Sequence, residues 1–458
     1  MFKKTYHIHF VGIGGIGMSG IAELLLNLGY RVSGSDLRDT GITRRLARLG
    51  GIIRQGHLPE NIRDADVVVV SSAVKRDNPE VAAALEASVP IIPRAEMLAE
   101  LMRLKYSVAV AGAHGKTTTT NMVAAVLAGG GLDPTVVIGG KLKSMGTNAR
   151  LGKGDFLVAE ADESDGSFLK MSPSICVVTN IDLEHLDHYK DLADIQSAFS
   201  RFVDRVPFYG LSILCLDSPA VAEVIPSVRK RYVTYGLAAQ ADVRGADVTM
   251  EGFKAGFTVI RRGETLGRVL LNLPGRHNVR NALAAVAVGL ELGVSFEHIR
   301  AALVNLEGVH RRMEIKGERD GVTVVDDYGH HPTEIAATLA AIRECYPGNR
   351  LYVVFEPHRY SRTAALFEEF SRSFYQADRV LILPVYPAGE APIPGVDALS
   401  LAEAIRSRGH KGAAHAKDED EALARVKREL SPGTVFLTLG AGNVFRLGER
   451  FLGTGEDD

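Results

Sequence analysis

The stretch Val110-Ala111-Gly112-Ala113-His114-Gly115-Lys116-Thr117-Thr118 decides the fold of this chain. The apolar residues 106–110 lead into it and have the composition of a buried strand, whereas residues 121–127 after it have helical spacing. A strand, a glycine-containing turn and a helix that begins with Gly-Lys-Thr are typical of a loop that binds nucleotide phosphates. In such a loop, backbone N–H groups and the positive end of the helix face the anion.

The lysine and the threonine of this turn have separate roles in a phosphate loop. Lys116 would reach the outer phosphates, and the Thr117 hydroxyl can bind Mg²⁺. The complete motif has a glycine where this chain has Val110. A plain turn that caps a helix is the alternative, so the prediction depends on the strand and the helix around the turn.

Composition limits the class of protein. A chain of 458 residues is too long for one hydrophobic core, so several domains are expected. A formal net charge of −2 argues against a general binder of nucleic acid or membrane surfaces. Three distant cysteines, Cys176, Cys215 and Cys345, fit a reducing compartment. The glycines from Gly12 onward break the apolar N-terminal stretch and no apolar run could span a bilayer, so we expect a cytoplasmic protein without a signal peptide.

Short β-branched runs alternate with helical patterns along most of the chain, which is typical of parallel sheets built from βαβ units. The first block of this kind ends near Lys105, the second begins with the phosphate-loop strand, and the third begins after residues 310–312. Between residues 242 and 271 the pattern changes to alternating strands with glycine turns. The sequence therefore predicts an α/β protein with three blocks.

A second glycine-rich turn, Gly12-Ile13-Gly14-Gly15-Ile16-Gly17, lies between a predicted strand and a predicted helix. Its glycines would let a diphosphate approach the helix, and Asp36 at the end of the next strand could bind ribose hydroxyls. Alone, this pattern suggests NAD, but a loop for diphosphate and ribose does not distinguish NAD from a UDP-sugar. A turn that only allows close packing of helix on strand is the alternative.

Two acidic segments follow strands of the second block. The apolar residues 156–159 are followed by Glu160 and further acids, and carboxylates beside a phosphate loop are placed to coordinate Mg²⁺. Residues 180–188 again place polar side chains after a strand. An acidic surface turn is the alternative for the first segment, and a structural histidine is the alternative for His185.

Polar clusters also open three later helices. Asn278 could bind a nucleotide or could merely cap its helix, and the sequence favours neither. Residues 326–334 and 355–363 concentrate three histidines and two arginines at the carboxyl edge of one predicted sheet, where open α/β sheets bind ligands. Arginines there suit carboxylate or phosphate groups. A solvated polar rim is the alternative for either segment alone.

Together and in this order, the motifs resemble the Mur ligases, ATP-dependent enzymes that build the peptide of the bacterial cell-wall precursor. The segments that carry the resemblance are Gly12–Gly20, Gly112–Thr117, Glu160–Ser164, Asn180–Tyr189, His277–Asn281 and Asp326–Glu334. The resemblance implies three domains. They are an N-terminal Rossmann-like, UDP-sugar-binding domain at 1–106, a central P-loop ATPase with a mainly parallel sheet at 107–311, and a C-terminal Rossmann-like, amino-acid-binding domain at 312–458.

The resemblance also implies a reaction. The pairing of Asp-Tyr-Gly-His-His-Pro-Thr-Glu with Pro-His-Arg-Tyr-Ser-Arg-Thr implies that L-alanine is joined to the lactyl carboxylate of UDP-N-acetylmuramate. The carboxylate attacks ATP, an acyl phosphate and ADP form, and the amine displaces phosphate. Lys116 and Mg²⁺ (or Mn²⁺) would neutralise the two anions that must meet. The implied partners are UDP-N-acetylmuramate, ATP and L-alanine, without nucleic acid or membrane, and we expect a monomer or a weak homodimer.

By motif, the resemblance assigns roles to residues of this chain. The catalytic residues would be Lys116, Glu160, His185 and His330. The ATP site would consist of Gly112, Ala113, His114, Gly115, Lys116, Thr117, Thr118, Asn278, Asn281 and Arg311. The UDP-sugar would contact Gly12, Gly14, Gly15, Gly17, Asp36, Ser71 and Ser72. The amino acid would contact Tyr328, His330, Arg359 and Arg362, and the metal would be held by Thr117, Glu160 and His185.

The chain departs from the family at one position. Several Mur ligases carry a carbamoylated lysine near the metal region, where this chain has Ser200 and no lysine between Lys190 and Lys230. We therefore expect no carbamate. Asp187 and Glu163 are the candidates for supplying its negative charge.

Three other functions are compatible with some of the motifs. A family member that attaches a whole tripeptide to the same sugar shares the first two domains, although residues 326–334 and 355–363 argue against it. An NAD-dependent oxidoreductase would use the glycine loop at residues 12–17 but would leave the second phosphate loop unexplained. A sensor would bind the same ligands without turnover.

Overall fold

The computed structural model describes residues 6–71, 73–138, 149–186 and 188–454. Its strands form three mainly parallel sheets that alternate with helices along the chain, so the predicted α/β class is confirmed. Within the described residues, no helix is both long enough and apolar enough to cross a membrane.

The N-terminal part is a parallel sheet with helical connections. Its elements are β1 His7–Val11, α1 Ile16–Asn27, β2 Arg31–Asp36, α2 Gly41–Arg48, β3 Ile52–Gln55, a 3₁₀ helix Pro59–Ile62, β4 Val67–Val70, α3 Pro79–Glu86, β5 Ile91–Pro93 and α4 Arg94–Arg103. The strands lie in the order β3-β2-β1-β4-β5. The central strand β1 is buried along its whole length, as expected for a parallel sheet with helices on its faces.

The central part contains the phosphate-loop strand. Its elements are β6 Tyr106–Ala111, α5 Lys116–Gly129, β7 Thr135–Val137, β8 Ala149–Arg150, β9 Phe156–Glu160, a 3₁₀ helix Ser167–Lys170, β10 Ile175–Val178, α6 Leu192–Val203, β11 Leu211–Cys215, α7 Pro219–Val224, a 3₁₀ helix Ile225–Ser227, β12 Tyr232–Gly236, β13 Val243–Met250, β14 Ala255–Arg261, β15 Glu264–Leu271, α8 Arg276–Glu291 and α9 Phe296–Val304. Seven strands lie in the order β12-β11-β10-β6-β9-β7-β8. The alternating strands predicted between residues 242 and 271 are β13, β14 and β15.

The C-terminal part is a third sheet. Its elements are β16 Glu314–Arg319, β17 Val322–Asp327, α10 Pro332–Cys345, β18 Arg350–Phe355, α11 Tyr360–Ala365, α12 Phe367–Arg372, β19 Arg379–Ile382, α13 Ala398–Ser407, β20 Ala413–His415, α14 Glu419–Glu429, β21 Thr434–Leu439 and α15 Phe445–Leu452. The order is β16-β17-β21-β18-β19-β20, and β16 is antiparallel to β17. Val353 and Phe355 pack into one hydrophobic cluster and Tyr352 and Val354 into another, because successive side chains of a strand point to opposite faces.

The described chain divides into two compact units. The first unit comprises residues 1–245, 259–267 and 280–307, and the second comprises residues 246–258, 268–279 and 308–458. The first unit thus contains the N-terminal sheet and the phosphate loop, and the second contains the C-terminal sheet. The domain boundaries predicted after residues 106 and 311 stay a prediction.

Candidate active site

The first unit places the phosphate loop at the carboxyl edge of a parallel sheet. β6 pairs with β10 through Ala111 and Val178 and with β9 through Val110 and Glu160. The residues that follow these three strands therefore emerge at the same edge. Ligands of open α/β sheets bind at this edge, so the topology brings the predicted acidic segments to the phosphate loop.

Two glycines of the phosphate loop have backbone conformations that other residues rarely adopt. Gly112 has φ +134° and Gly115 has φ +81°. A Cβ atom at Gly112 would collide with the Thr179 hydroxyl, and one at Gly115 would lie 2.7 Å from Asn281 Oδ1. Gly115 also immediately precedes α5, whose first residue is Lys116. The loop thus has the glycine turn and the helix start that the sequence predicts.

Residues after β10 hold the loop in place. The Asn180 side-chain oxygen accepts a hydrogen bond from the His114 backbone N–H at 2.8 Å, and the Thr179 hydroxyl donates to the His114 carbonyl at 2.7 Å. The His114 ring lies 2.9 Å from an Asp182 carboxylate oxygen. The backbone and the side chain of His114 are therefore both fixed by neighbouring residues, and Ala113 is held by a backbone bond to Asn180 at 3.3 Å.

Lys116 is paired with a buried carboxylate. Its Nζ donates to Glu163 Oε1 at 2.7 Å and to the Gly112 carbonyl at 2.6 Å. Glu163 is only 2% exposed. Burial alone would lower the pKa of Lys116, but the charges of Glu163 and Asp162 outweigh burial and raise this pKa above its ordinary value. Lys116 is consequently a permanent cation at the start of α5.

Glu163 also belongs to a cluster of possible metal ligands. Glu163, Glu184 and His185 each offer one ligand atom, and these atoms lie within 4.8 Å of one another. Glu163 Oε2 is buried and, among the described residues, has no hydrogen-bond partner. Burial would lower the pKa of His185, but a hydrogen bond to Glu163 and the charge of Glu184 raise it overall. The cluster is thus a buried site with concentrated negative charge.

The predicted metal ligands coincide with this cluster only at His185. Glu160 is the last residue of β9, and Thr117 is the second residue of α5. Glu160 does not belong to the group of ligand atoms within 4.8 Å, and the contact of either residue with a metal stays a prediction. Asp187, the other candidate for supplying the charge of a carbamate, lies outside the described residues. Ser200 lies in α6, where its hydroxyl is 2.9 Å from that of Ser227.

The remaining nucleotide residues of α5 and α8 are mostly buried. Thr118 is 6% exposed, Asn278 is 4% exposed and Asn281 is 7% exposed. Asn278, the third residue of α8, donates a side-chain hydrogen bond to the Pro274 carbonyl at 2.7 Å, and its contact with a nucleotide stays a prediction. Asn281 lies against Gly115, so the structure brings it to the phosphate loop.

The second glycine loop connects β1 to α1 in the first unit. Gly12 has φ +77°, Gly15 is the N-cap of α1, and a Cβ at Gly17 would lie 2.5 Å from Arg94 Nη1. The Gly14 N–H donates to Asp36 Oδ2 at 2.9 Å. Asp36 therefore supports the loop itself, which the sequence does not predict. Its predicted contact with ribose stays a prediction.

Two serines were predicted to face the same ligand. Ser71 directly follows β4, whose neighbour in the sheet is β1. The glycine loop follows β1, and parallel strands end at one edge, so Ser71 and the glycine loop share that edge of the sheet. Ser72 lies outside the described residues.

The second unit assembles the histidine–arginine cluster. The rings of His330 and His358 are 6.0 Å apart, and His358 stacks on Tyr386 at 5.3 Å. Arg362 Nη1 donates to the His358 carbonyl at 3.3 Å. Burial, followed by the nearby His330 and Arg362, lowers the pKa of His358 to about 4. His358 is therefore neutral at physiological pH.

Arg359 and Tyr328 complete this region. Arg359 has a left-handed backbone with φ +71°, and its half-exposed guanidinium lies 3.9 Å from Glu390 Oε1. The ring of Tyr328 is 5.4 Å from that of His330. All four residues predicted to contact the amino acid thus lie in the same unit, in the segments that follow β17 and β18.

Arg311 has its contacts within the second unit. Its Nε donates to buried Asp326 at 3.0 Å, and its Nη atoms donate to the carbonyls of Gly440 at 2.6 Å and Gly442 at 2.9 Å. The guanidinium also lies 5.2 Å from the Tyr328 ring centre. In this structure Arg311 fixes the loop after β21, and its predicted contact with nucleotide stays a prediction.

Comparison with known proteins identifies the family. The family model for the Mur ligase catalytic domain matches residues 7–106, that for the Mur ligase middle domain matches 110–289, and that for the Mur ligase glutamate ligase domain matches 311–442. The chain belongs to the Mur ligase family. The predicted resemblance and the three-domain fold class are therefore confirmed.

Relatives of this Mur ligase match it over nearly its whole length. A UDP-N-acetylmuramate–L-alanine ligase from Desulfatibacillum aliphaticivorans is 65% identical, with 99% of both chains covered. The enzyme of the same name from Geobacter sulfurreducens is 56% identical over 99% of this chain and 98% of its own. The crystal structure of a UDP-N-acetylmuramate–alanine ligase from Thermotoga maritima has a TM-score of 0.81 and 32% identity, with 98% of both chains covered.

A second kind of Mur ligase shares this fold. The murein peptide ligase from Psychrobacter arcticus has a TM-score of 0.70 and 26% identity, with 98% of both chains covered. The structural likeness and the identity are both lower than for the Thermotoga maritima enzyme.

Sequence reasoning left several neighbours out of the predicted site. Glu184, Asp182 and Asn180 follow β10 and belong to the cluster or contact the loop, whereas the sequence singles out only His185 and Asp187 of that segment. Their position directly after a strand was the available signal. Tyr386, which stacks on His358, follows a different strand, and no signal in its own segment points to this contact.

Replacing Arg311 by alanine should destabilise the second unit. Asp326 is 1% exposed, and removal of one partner of a buried ion pair costs about 3–5 kcal/mol. Burial, before any other influence, raises the pKa of Asp326 in the folded state. Loss of Arg311 would raise the pKa of Asp326 further. At a lower pH the buried Asp326 is more often protonated and neutral, so the free energy of unfolding that R311A loses near pH 7 should be partly regained toward pH 5.

Chemical denaturation of R311A at both pH values checks this expectation. The exposed Arg372, which lies 3.5 Å from an exposed Glu368, provides the control, because R372A should cost about 1 kcal/mol at most. Equal effects of R311A and R372A would contradict the structural role of Arg311.

Proposed function

We propose that this Mur ligase joins L-alanine to the lactyl carboxylate of UDP-N-acetylmuramate, with ATP as co-substrate and ADP and phosphate as products. The phosphate loop in which the partly exposed Lys116 pairs with the buried Glu163 is the observation that carries the proposal, because it provides a cation for phosphoryl transfer. The identity of 65%, across 99% of both chains, to a UDP-N-acetylmuramate–L-alanine ligase supports alanine as the amino acid.

In the first step, a lactyl carboxylate oxygen attacks the γ-phosphorus of ATP. A new O–P bond forms, the bond to the β-phosphate oxygen breaks, and ADP leaves. Two anions approach each other in this step, so positive charge must lie between them. Lys116 supplies that charge, with the backbone N–H groups of residues 115–118, at the start of α5, around the phosphates. Asn278, Asn281 and Arg311 are the further proposed contacts of ATP.

Mg²⁺ or Mn²⁺ fits the acidic cluster of the first unit. Glu163, Glu184 and His185 would hold the ion, since carboxylate oxygens suit both metals and the buried Glu163 Oε2 has no hydrogen-bond partner among the described residues. Thr117 and Glu160 remain candidates for the same ion. When bound, the metal would act as a Lewis acid that neutralises charge on the phosphoryl oxygens.

In the second step, the alanine amine attacks the acyl carbon. A C–N bond forms, the bond from the acyl carbon to the bridging oxygen breaks, and phosphate leaves with that oxygen. The attacking nitrogen must be deprotonated and loses a proton, which solvent can accept. The acyl phosphate is needed because an unactivated carboxylate is a poor electrophile.

The two remaining sites would orient the substrates. Gly12, Gly14, Gly15, Gly17, Asp36, Ser71 and Ser72 are proposed for the UDP-sugar. Tyr328, His330, Arg359 and Arg362 are proposed for alanine, with the arginines on its carboxylate. The neutral His358 supports this assignment, because an uncharged ring beside Arg362 leaves the arginines as the cations available to that anion.

Replacing Arg359 by alanine should weaken the binding of alanine. Loss of a charge-assisted contact to a carboxylate should raise the KM for L-alanine by about a hundredfold, while the KM for ATP should stay within about twofold. Steady-state kinetics of R359A checks this. R372A, which removes an exposed arginine of the same unit, should leave both constants unchanged, and an unchanged KM for L-alanine in R359A would contradict the assignment.

Oxygen labelling tests the acyl phosphate directly. UDP-N-acetylmuramate with ¹⁸O in its lactyl carboxylate should transfer one labelled oxygen to the released phosphate, because the bridging oxygen leaves with phosphorus. Mass spectrometry of the phosphate measures the transfer. Unlabelled phosphate, formed together with the amide product, would exclude this intermediate.

Attachment of a whole tripeptide is the second candidate, supported by the likeness to a murein peptide ligase. An NAD-dependent oxidoreductase is less well supported, since nicotinamide chemistry leaves the Lys116 loop without a role.

We propose a cytoplasmic enzyme that acts on small molecules and not on nucleic acid or membranes, as a monomer or a weak homodimer. The buried free thiols of Cys176 and Cys215 fit a reducing compartment.

A further inference from the structure

A buried polar network lies beneath the glycine loop of the N-terminal sheet. Ser35 and His9, on β2 and β1, and Glu80, in the first turn of α3, are each 0% exposed. The Ser35 hydroxyl donates to Glu80 Oε2 at 2.5 Å, and the Asn61 amide donates to Glu80 Oε1 at 2.6 Å. Both carboxylate oxygens of Glu80 are therefore bonded inside the domain.

Histidines surround the same carboxylate. His57 Nδ1 lies 3.3 Å and His9 Nε2 lies 3.7 Å from Glu80 Oε2. The other ring nitrogen of His9 contacts the Ser33 hydroxyl at 2.8 Å, and His7 contacts the same hydroxyl at 2.8 Å. Burial would raise the pKa of Glu80, but the nearby His9 ring and the hydrogen bonds from Ser35 and Asn61 lower it overall. Glu80 is thus a buried anion. Without its partners the charge of Glu80 would be uncompensated, and the free energy of unfolding would fall.

Ser35 connects this anion to the glycine loop. The Ser35 carbonyl accepts the N–H of Gly12 at 2.8 Å and that of Ile13 at 2.9 Å. The next residue, Asp36, accepts the N–H of Gly14. Three successive amides of the loop are therefore held by Ser35 and Asp36 at the end of β2. The side chain of Ser35 is in turn held by Glu80.

We propose that Glu80 is a positioning residue for UDP-sugar binding, which acts through Ser35 to fix the conformation of the glycine loop at residues 12–17. This inference rests on the proposed function, because it takes the glycine loop as the site of the diphosphate. Glu80 is fully buried and does not touch the ligand. Its effect arises because a shift of Ser35 moves the carbonyl that fixes the loop, and a preorganised loop binds an anion better than one that must be ordered first.

Kinetics and direct binding of Glu80 variants test the inference. E80A should raise both the KM and the dissociation constant for UDP-N-acetylmuramate by about tenfold, with kcat and the KM values for ATP and L-alanine within about twofold. E80Q, which keeps an acceptor for the Ser35 hydroxyl, should recover much of this loss and covers the case in which E80A does not fold. E23A removes a carboxylate of the same domain that pairs with Arg45 at 2.6 Å, and it should leave the UDP-sugar constants unchanged.

A double-mutant cycle separates positioning from general stability. S35A removes the hydroxyl through which Glu80 acts, so the effects of S35A and E80A on UDP-sugar affinity should not add. Additive effects, or equal changes in the KM of all three substrates, would overturn the inference. If the wild-type enzyme binds the UDP-sugar and all Glu80 variants bind it with unchanged affinity, the inference is overturned but the proposed function is not. A wild-type enzyme that does not bind UDP-N-acetylmuramate in calorimetry overturns the proposed function and this inference with it.

Discussion

Replacing Lys116 by methionine should lower the rate of ATP-dependent phosphate release by about a thousandfold, because the cation between the two reacting anions is lost. Methionine keeps most of the buried volume of the side chain. The UDP-sugar should still bind, since its proposed loop at residues 12–17 follows a different strand. Phosphate release measures the first effect, and calorimetry with UDP-N-acetylmuramate measures the second.

Stability must be separated from chemistry in this variant. Lys116 pairs with Glu163 at 2.7 Å, and K116M leaves the buried Glu163 without its partner at a cost of about 3 kcal/mol. The double variant K116M/E163Q removes both charges and should regain much of that stability without regaining activity. Lys170 pairs with Glu96 on the surface, and K170A should behave like the wild type. Activity in the stable double variant near that of the wild type would contradict the role of Lys116.

Replacing Glu163 by glutamine should lower kcat by about a hundredfold and raise the Mg²⁺ concentration needed for half-maximal activity by about tenfold. Glu163 is the carboxylate that the Lys116 ion pair and the metal cluster have in common. Its loss therefore weakens metal binding and also releases Lys116 from its position. Titration of activity with Mg²⁺ and with Mn²⁺ measures both effects.

A matched carboxylate on the same segment provides the control for E163Q. Asp165 accepts a hydrogen bond from the Ser167 N–H at 2.9 Å and belongs to no cluster of possible metal ligands among the described residues. D165N should keep the wild-type metal requirement. If E163Q lowered stability alone, with kcat and the metal requirement unchanged, Glu163 would be a structural partner of Lys116 and no more.

The fold was largely predictable from the sequence because its signals are local. The β-branched runs before Gly12 and Gly112 became β1 and β6, and both glycine turns connect a strand to a helix as predicted. The helix predicted to open at residues 326–334 is α10, which begins at Pro332 and has a capping box formed by His331 and Glu334. These features depend on residues within a few positions of one another, which a sequence displays directly.

The partners of the site residues were harder to predict because they depend on distant contacts. The sequence did not show that Glu163 is the acid that contacts Lys116, and the role of Glu160, three residues earlier, at the metal stays a prediction. Local spacing does not show which of several neighbouring acids turns inward. Nor did the sequence show that Arg311 donates to the carbonyls of Gly440 and Gly442, about 130 positions away, and its contact with nucleotide stays a prediction. Such contacts follow from strand order, which motif spacing does not reveal.

The measurement that tests the central claim most directly is mass spectrometry of the product formed from UDP-N-acetylmuramate, ATP and Mg²⁺ with a single amino substrate. L-alanine, D-glutamate and the tripeptide L-alanyl-D-glutamyl-diaminopimelate are each supplied separately. We expect phosphate release that depends on L-alanine, together with a UDP-sugar heavier by one alanyl residue. A product formed only with the tripeptide, or no product with L-alanine, would contradict the proposed reaction.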